Sequence, residues 1–295
     1  MIASKIASMH KHAFTEYIFN NGNINYLYNQ INKNGPVQLN VVSFSSAHDF
    51  SEQVLSILSF IKYIGKPVSW IVYSDGTHFS PQIKLLENTF EFVKVASVSN
   101  FEEYIESRIS ANLFPYKKEL AAYAKASPLG KKMFLYLNTN IERPTLFIDS
   151  DIVFYKKASV LRQIMVEHYH GWFLPDYDWG CLDSRYKAVQ SPQPYQVNSG
   201  MLLMNKNLTY LKEGMEFFIR LGTSYEYFTE QSVIHILLIA NAFMPFDPRI
   251  FILNPSDQFD FSYLYKTDEM AIRHYTSTVR HKMWQKNWKW HLSLY

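Results

Sequence analysis

The sequence predicts an α/β fold, a single domain built on a central, mostly parallel sheet flanked by helices. Three observations carry this. Short apolar strands alternate with helical stretches in the order β-α-β-α-β-α-β, a pattern that requires crossover connections between parallel strands. The stretch Leu146-Phe147-Ile148 is apolar on both faces, as a strand covered by helices on each side must be. Across 295 residues, 47% are hydrophobic and only 19% charged, enough apolar surface for a sizeable core and too little charge for a disordered chain.

The elements follow in order. Residues 1–36 are polar, Asn-rich and weakly periodic, and are expected to form a short helical lead-in and a loop closed by Gly35-Pro36. Residues 39–44 read as the first strand. Asp49 or Ser51 caps a helix to about Ile64, with Val54, Leu55, Leu58 and Ile61 at helical spacing, and Gly65-Lys66-Pro67 stops it. Residues 68–73 are a second strand, ended by the turn signal Ser74-Asp75-Gly76. A helix over 81–88, a strand over 92–98, and helices near 101–110 and 129–138 lead into the strand before Asp149. The second half is less regular: strands at 171–174, 201–204, 251–253 and 271–274, helices near 208–221 and 229–240. Neither a repeat nor an interdomain linker interrupts the chain. The expected organisation is a lead-in over 1–36, one domain over 37–284 and a basic-aromatic tail over 285–295.

The bulk numbers exclude several classes. A formal net charge of +3 is too small for a dedicated nucleic-acid binder. A single cysteine, Cys181, allows neither an intrachain disulfide nor a cysteine zinc cluster. No apolar run approaches the length of a membrane span, and the N-terminus has no secretory pattern, so a cytoplasmic location is expected. The tail Trp284 to Tyr295 mixes Trp288, Trp290, Lys286, Lys289 and His291. Such a mixture suits packing on the domain, or peripheral contact with an anionic membrane.

Chemistry concentrates at Asp149-Ser150-Asp151. Side chains at i and i+2 of an extended chain point the same way, so Asp149 and Asp151 project together from a strand end. Adjacent carboxylates repel unless a cation sits between them. Hard oxygen ligands suit Mg²⁺ or Mn²⁺, ions that commonly share their shell with substrate phosphates. Taken alone, the pair has a plainer reading as a turn with two solvated acids. Four downstream features strengthen it: Asn198-Ser199-Gly200 as a polar turn before an apolar strand, Glu230-Gln231 opening a helix, His274-Tyr275 at a strand end, and the cations Arg280-His281-Lys282 just after.

With these elements in this order, residues 39–284 resemble the GT-A fold glycosyltransferases, most of all the glycogenin-like and bacterial galactosyltransferase-like families that use nucleotide-sugar donors. The resemblance implies a GT-A, Rossmann-like catalytic domain over 37–284. It implies metal ligation by Asp149, Asp151 and His274, with Mn²⁺ favoured over Mg²⁺. Ser43, Phe44 and Ser45 would lie along the nucleotide, Asp75 near its base, Asp149 also near the ribose, and Lys131 or Lys132 by the phosphates or sugar. Asn198, Glu230 and Gln231 would surround the transferred sugar, with His281 and Lys282 neutralising the leaving diphosphate. Asp176, Asp178 or Glu230 would supply a base if configuration inverts; retention is the implied course. The expected donor is a UDP-sugar and the expected acceptor a glycan, lipid-linked or protein hydroxyl. Two departures stand out: no Gly follows His274-Tyr275, and Lys282-Met283-Trp284 replaces Lys-Pro-Trp about two residues further on, which leaves His281 as a rival metal ligand. Two alternatives remain open from sequence: a phosphatase of the haloacid dehalogenase type, and a non-catalytic nucleotide-sugar-binding protein.

Overall fold

A computed structural model describes residues 2–20, 22–98, 100–176, 180–186, 195–256 and 264–294. Asp178 and the segment Asp257-Gln258-Phe259-Asp260, which bore on the sequence alternatives, lie outside the described residues.

The chain begins with two helices, α1 (Ile2–Phe19) and α2 (Asn23–Ile31), longer than the short lead-in the sequence suggests. The Asn-rich composition of α2 is a weak helix former, but Phe14, Ile18, Ile24, Leu27 and Ile31 of the two helices are buried, and tertiary packing overrides propensity. Then follow β1 (Asn40–Ser45), α3 (Phe50–Tyr63), β2 (Ser69–Ser74), α4 (Ser80–Thr89), β3 (Val93–Ser97), α5 (Phe101–Arg108), α6 (Lys117–Ala126), α7 (Pro128–Asn138), β4 (Thr145–Asp149), β5 (Ile152–Phe154), α8 (Leu161–Ile164), β6 (Gly171–Pro175) and β7 (Val197–Met204). The last elements are α9 (Lys212–Arg220), α10 (Thr229–Ala240), β8 (Met244–Pro245), β9 (Phe251–Ile252), β10 (Ile272–His274), α11 (Arg280–Gln285) and α12 (Trp288–His291). A seven-stranded, mostly parallel sheet has the order β3-β2-β1-β4-β7-β6-β8, and a three-stranded sheet the order β5-β10-β9.

The chain divides into two compact units. The first comprises Met1–Ala96, Ile148–Glu167 and Asp247–Tyr295, the second Ser97–Phe147 and His168–Phe246. In the first unit β1 and β2 pair in parallel from Asn40 against Ser69 to Ser45 against Ser74. The helix between them, α3, is buried on nearly every side, so its polar residues need partners. Some have them: Glu52 accepts from Trp284 Nε1 at 2.8 Å and pairs with Lys11 at 2.7 Å, and Ser59 Oγ accepts the Phe154 N–H at 3.0 Å, whereas the Gln53 amide and the Ser56 hydroxyl have no hydrogen-bond partner among the described residues. Burying Val54, Leu55, Ile57, Leu58, Phe60 and Ile61 contributes on the order of 10 kcal/mol as an upper bound. Gly65 ends the helix at φ +116°, where a Cβ would strike the Gly35 carbonyl, so the predicted stop signal has a steric basis. The C-terminal tail packs within this unit: Trp288 stands 5.7 Å from Phe14 and 4.9 Å from Tyr17, ring centre to ring centre, and Leu292 is fully buried.

In the second unit β6 and β7 are antiparallel, with a shift of register between Phe173 and Leu174 that opposes Leu202 and then Asn198. The Asn198-Ser199-Gly200 segment is therefore not a turn ahead of the strand, as its polarity suggests, but an irregularity inside it. Every residue of β7 is buried. Such bulges re-aim side chains that regular pleating would send elsewhere. Helices α6 and α7 approach closely at Gly130, where a Cβ would strike the Tyr123 carbonyl. Among the described residues no helix is long and apolar enough to cross a membrane.

Candidate active site

In the first unit, β4 ends at Asp149 and β5 begins at Ile152, so the tight connection carries Asp149, Ser150 and Asp151. The strand β10 pairs antiparallel with β5, setting His274 opposite Ile152. The Tyr275 N–H donates to the Asp151 carbonyl at 3.0 Å and fixes the two strands beside the carboxylates. As a result Asp149, Asp151 and His274 offer ligand atoms all within 4.8 Å of one another. His274 Nε2 lies 3.1 Å from Asp151 Oδ1 and 3.8 Å from Asp149 Oδ2. Asp151 is 4% exposed and His274 6%, whereas Asp149 at 28% keeps an open side.

The contact between His274 and Asp151 is close but poorly aligned. Asp151 Oδ1 is buried and has no hydrogen-bond partner among the described residues, and neither has His274 Nδ1. A buried carboxylate oxygen left in this state costs about 1–3 kcal/mol or more. Two oxygens and an imidazole nitrogen converging on one point, with one oxygen orphaned, fit a divalent cation.

Arg280, at the start of α11, stands in the sequence only as one of the cations after His274, with no role of its own. Its Nη2 donates to Asp151 Oδ2 at 2.5 Å and its Nη1 to Asp49 Oδ1 at 3.0 Å. Burial raises the Asp151 carboxyl, but His274 and Arg280 outweigh it and hold the group at about 2. Burial likewise works against the Arg280 charge, and Asp151 and Asp49 more than reverse this, lifting the guanidinium above its ordinary value. Asp49 also accepts from Ser46 Oγ at 3.0 Å, and the Ala47 N–H donates to Thr77 Oγ1 at 2.9 Å, which itself donates to Asp75 at 2.6 Å. A continuous polar rim thus runs from Asp75 to Asp151. Ser45 lies on it, its carbonyl accepting the Asp75 N–H at 3.0 Å. Phe44 is half-buried, and Ser43 is fully buried with its hydroxyl accepting from Trp70 Nε1 at 2.9 Å. His281 is half-buried and Lys282 fully buried in α11.

In the second unit a second cluster forms. Asp176 Oδ2 accepts from Asn198 Nδ2 at 3.1 Å and Gln231 Nε2 at 3.0 Å, and Gln231 Nε2 also donates to the Cys181 carbonyl at 2.7 Å. Ser199 Oγ donates to Glu230 Oε2 at 2.8 Å, and Lys132 Nζ stands 3.9 Å from Glu230 Oε1. The structure thus brings Asn198, Asp176, Glu230 and Gln231 together, and of the two adjacent lysines it brings Lys132. Lys131 instead lies over the Phe101 ring at 5.8 Å. Neighbouring residues on a helix point about 100° apart, so only one of the pair can face this cluster.

Behind the first site, the tail closes a buried chain of hydrogen bonds. His291 Nε2 meets the Met283 carbonyl at 2.6 Å, Nδ1 meets Tyr155 Oη at 2.7 Å, and Tyr155 Oη meets Tyr275 Oη at 2.7 Å. A carbonyl can only accept, so Nε2 carries the proton and Nδ1 accepts from Tyr155, which in turn accepts from Tyr275. Burial without a counter-ion lowers the imidazole to about 4. His235 in α10 is lowered to about 4 by burial too.

No protein-family model matches the sequence, and no curated protein does. Solved structures do match. The galactosyltransferase LgtC, in complex with donor and acceptor sugar analogues, aligns at TM-score 0.51 and 12% identity over 83% of this chain and 95% of its own. WbbM, a bifunctional glycosyltransferase, aligns at 0.54 and 13% over 88% of this chain and 51% of its own. The apo form of the glycosyltransferase GlyE from Streptococcus pneumoniae TIGR4 aligns at 0.50 and 9% over 88% and 63%. The fold of this chain is that of the GT-A glycosyltransferases.

Proposed function

We propose that the protein is a metal-dependent glycosyltransferase that moves a hexosyl group from a UDP-sugar to an acceptor hydroxyl with retention of configuration. The observation that carries it is the convergence of Asp149, Asp151 and His274 directly after β4 of a GT-A fold, with one buried carboxylate oxygen unpartnered. The mixed oxygen and nitrogen donor set favours Mn²⁺ over Mg²⁺. When bound, the ion supplies Lewis-acid stabilisation of the charge that grows on the leaving diphosphate.

Transfer breaks the bond between the anomeric carbon and the phosphate oxygen and forms one to the acceptor oxygen. The acceptor proton passes to the departing diphosphate, which leaves from the face that the acceptor attacks. The transition state has oxocarbenium character. Arg280 is fixed beside Asp151 and contributes positive charge on the leaving-group side, alongside His281, whereas Lys282 is fully buried in α11. Phe44, Ser45 and Asp75 align the nucleoside; Ser43, fully buried with its hydroxyl on Trp70, supports them from beneath rather than touching it. In the second cluster the Gln231 amide is aimed by Asp176 and the Cys181 carbonyl, and with Asn198 it holds the transferred sugar. Glu230 is pinned by Ser199 and Lys132, which suits a buried orienting charge better than a base that must take up a proton. The acceptor is a glycan, lipid-linked or protein hydroxyl. The phosphatase alternative is not favoured, since the solved structures that resemble this chain are glycosyltransferases.

The test is a thermal-shift and hydrolysis screen of nucleotide sugars, with and without Mn²⁺, on the wild type and Asp151→Ala. A melting rise that needs both Mn²⁺ and a UDP-sugar and disappears in the variant supports the reading. A folded protein that responds to no nucleotide sugar with Mn²⁺ present overturns it.

A further inference from the structure

A cavity of about 760 Å³ opens in the first unit, away from the metal-ligand triad. Lys156 on its wall follows Asp151 by five residues along β5 and an extended Tyr155, which places it on the order of 15 Å from the carboxylates. Two kinds of group make up the walls. Tyr63, Tyr265 and Trp290 contribute aromatic rings, and Lys156, Lys266 and Lys286 contribute ammonium groups against, among the described residues, the carboxylate of Asp268.

The rings are held in place. Tyr265 lies under the fully buried Arg273 guanidinium, 5.7 Å from ring centre, and its hydroxyl accepts from Asn254 Nδ2 at 3.1 Å. Trp290 stands edge-on to Tyr155 at 6.2 Å. Tyr63 donates to the His291 carbonyl at 3.1 Å and shares a hydrogen bond with Ser293 Oγ at 3.0 Å. Of the lysines, Lys266 has Glu269 at 3.7 Å, whereas Lys156 is exposed and has no acidic partner among the described residues.

Ser293 adds a separate observation. It ends α12 at φ +45°, with the Ser293 N–H on the Trp290 carbonyl and the Leu294 N–H on the Lys289 carbonyl. This is the paired hydrogen-bond pattern in which glycine is the usual left-handed residue. A serine there costs roughly 1 kcal/mol relative to glycine. What it gains is a hydroxyl on the cavity wall, bonded to Tyr63. Strained non-glycine residues gather where a side chain is needed at a binding surface.

The geometry points to this cavity as a binding site for a saccharide bearing an acidic group, a carboxylate or a phosphate. Fixed aromatic faces take the C–H face of a sugar ring, the Thr267 and Ser293 hydroxyls meet sugar hydroxyls, and the lysines hold the anion. The volume exceeds that of a single sugar ring and suits a short acidic glycan. The site does not depend on the transferase reading, because none of its walls belongs to the metal-ligand triad.

Calorimetric titration of the full chain tests it, with glucuronate and glucose 6-phosphate as probes, and with glucose, inorganic phosphate and vesicles containing phosphatidylglycerol as comparators. The expected result is binding of both acidic sugars at least tenfold tighter than glucose and phosphate. That binding should weaken at least tenfold in Lys156→Ala/Lys286→Ala and in the cavity-filling Thr267→Trp, and be unchanged in Asp151→Ala. Phosphate binding as tightly as the sugar phosphate, or vesicles binding while no soluble sugar does, overturns the saccharide assignment. So does the absence of heat with every probe while the melting temperature stays at the wild-type value. Loss of turnover in Asp151→Ala with acidic-sugar binding intact separates this site from the catalytic one.

Discussion

Arg280→Ala separates a catalytic cation from a structural strut. The guanidinium shares Asp151 with the ligand triad, donating to Oδ2 while Oδ1 faces His274. Removing it leaves a carboxylate that is 4% exposed without its partner. Breaking a buried pair costs about 3–5 kcal/mol, but Arg280 is 35% exposed and solvent screens the loss, so about 1–2 kcal/mol is expected in the metal-free protein. The effect on metal binding has the opposite sign. A divalent ion held by Asp149, Asp151 and His274 is repelled by a cation on the same carboxylate. At an effective dielectric near 20, after solvent screening, that repulsion is worth about 1–2 kcal/mol. Mn²⁺ affinity should therefore rise about tenfold in Arg280→Ala. Turnover should instead fall about 100-fold, because positive charge is lost from the leaving diphosphate. Arg280→Lys keeps the charge but not the two-pronged contact with Asp151 and Asp49, and should recover only part of the turnover. Mn²⁺ titration and steady-state kinetics on the same preparations decide the matter. If Mn²⁺ affinity, turnover and melting temperature all fall together, Arg280 is scaffold and the charge argument is wrong.

His291 titrates at about 4 when folded and 6.5 when unfolded, so the unfolded chain binds more protons between these values and stability drops as pH falls through that window. The wild type should lose about 2 kcal/mol more than His291→Gln between about pH 7.5 and about pH 5 in urea unfolding; parallel pH curves would refute the burial argument. Gly130→Ala drives a Cβ into the Tyr123 carbonyl and should cost about 2 kcal/mol or more in urea midpoint, whereas a cost under about 0.5 kcal/mol would show that α6 and α7 can slide apart. Gln231→Ala removes the amide shared by Asp176 and the Cys181 carbonyl, and should lower kcat about 10- to 100-fold with Mn²⁺ affinity unchanged; a change in KM alone would assign it to ground-state binding.

The first half of the fold was legible because its signals are local. The helix over α3 shows its apolar spacing, and Gly65 stops it for a reason visible in a single residue. The strand into Asp149 is a run of apolar side chains that admits little else. The misses have local and non-local causes. Helix α6 carries Leu120, Tyr123 and Ala124 at helical spacing, a readable signal overlooked among its lysines. Strand β5 is three residues long and exists because β10, more than a hundred residues away, pairs with it. Helix α2, with three asparagines, has poor intrinsic propensity and owes its length to the surface it covers. The tail's composition also suits a membrane surface, but the packed reading, favoured from sequence, is the one the contacts of Trp288 with Phe14 and Tyr17 bear out.

The candidate site divides along the same line. A pair of carboxylates two residues apart is written in the chain, and its side-by-side projection follows from strand geometry alone. What completes it is not. Nothing near residue 280 states that its guanidinium reaches back 129 residues to Asp151, and the nearby Lys282, which carries the same formal charge, is buried in α11 instead. The choice among Arg280, His281 and Lys282 is set by the angle at which α11 leaves β10, which local sequence does not encode. The same holds for Lys131 and Lys132, where one helical step decides which ammonium meets Glu230. The bulge at Asn198 shows a subtler failure. Polar residues before an apolar run are the signature of a turn, yet here they sit inside a buried strand. Asp176, Gln231, Glu230 and Lys132 arrive from other elements to satisfy them. A buried polar cluster and a turn share the same composition, and only the partners distinguish them.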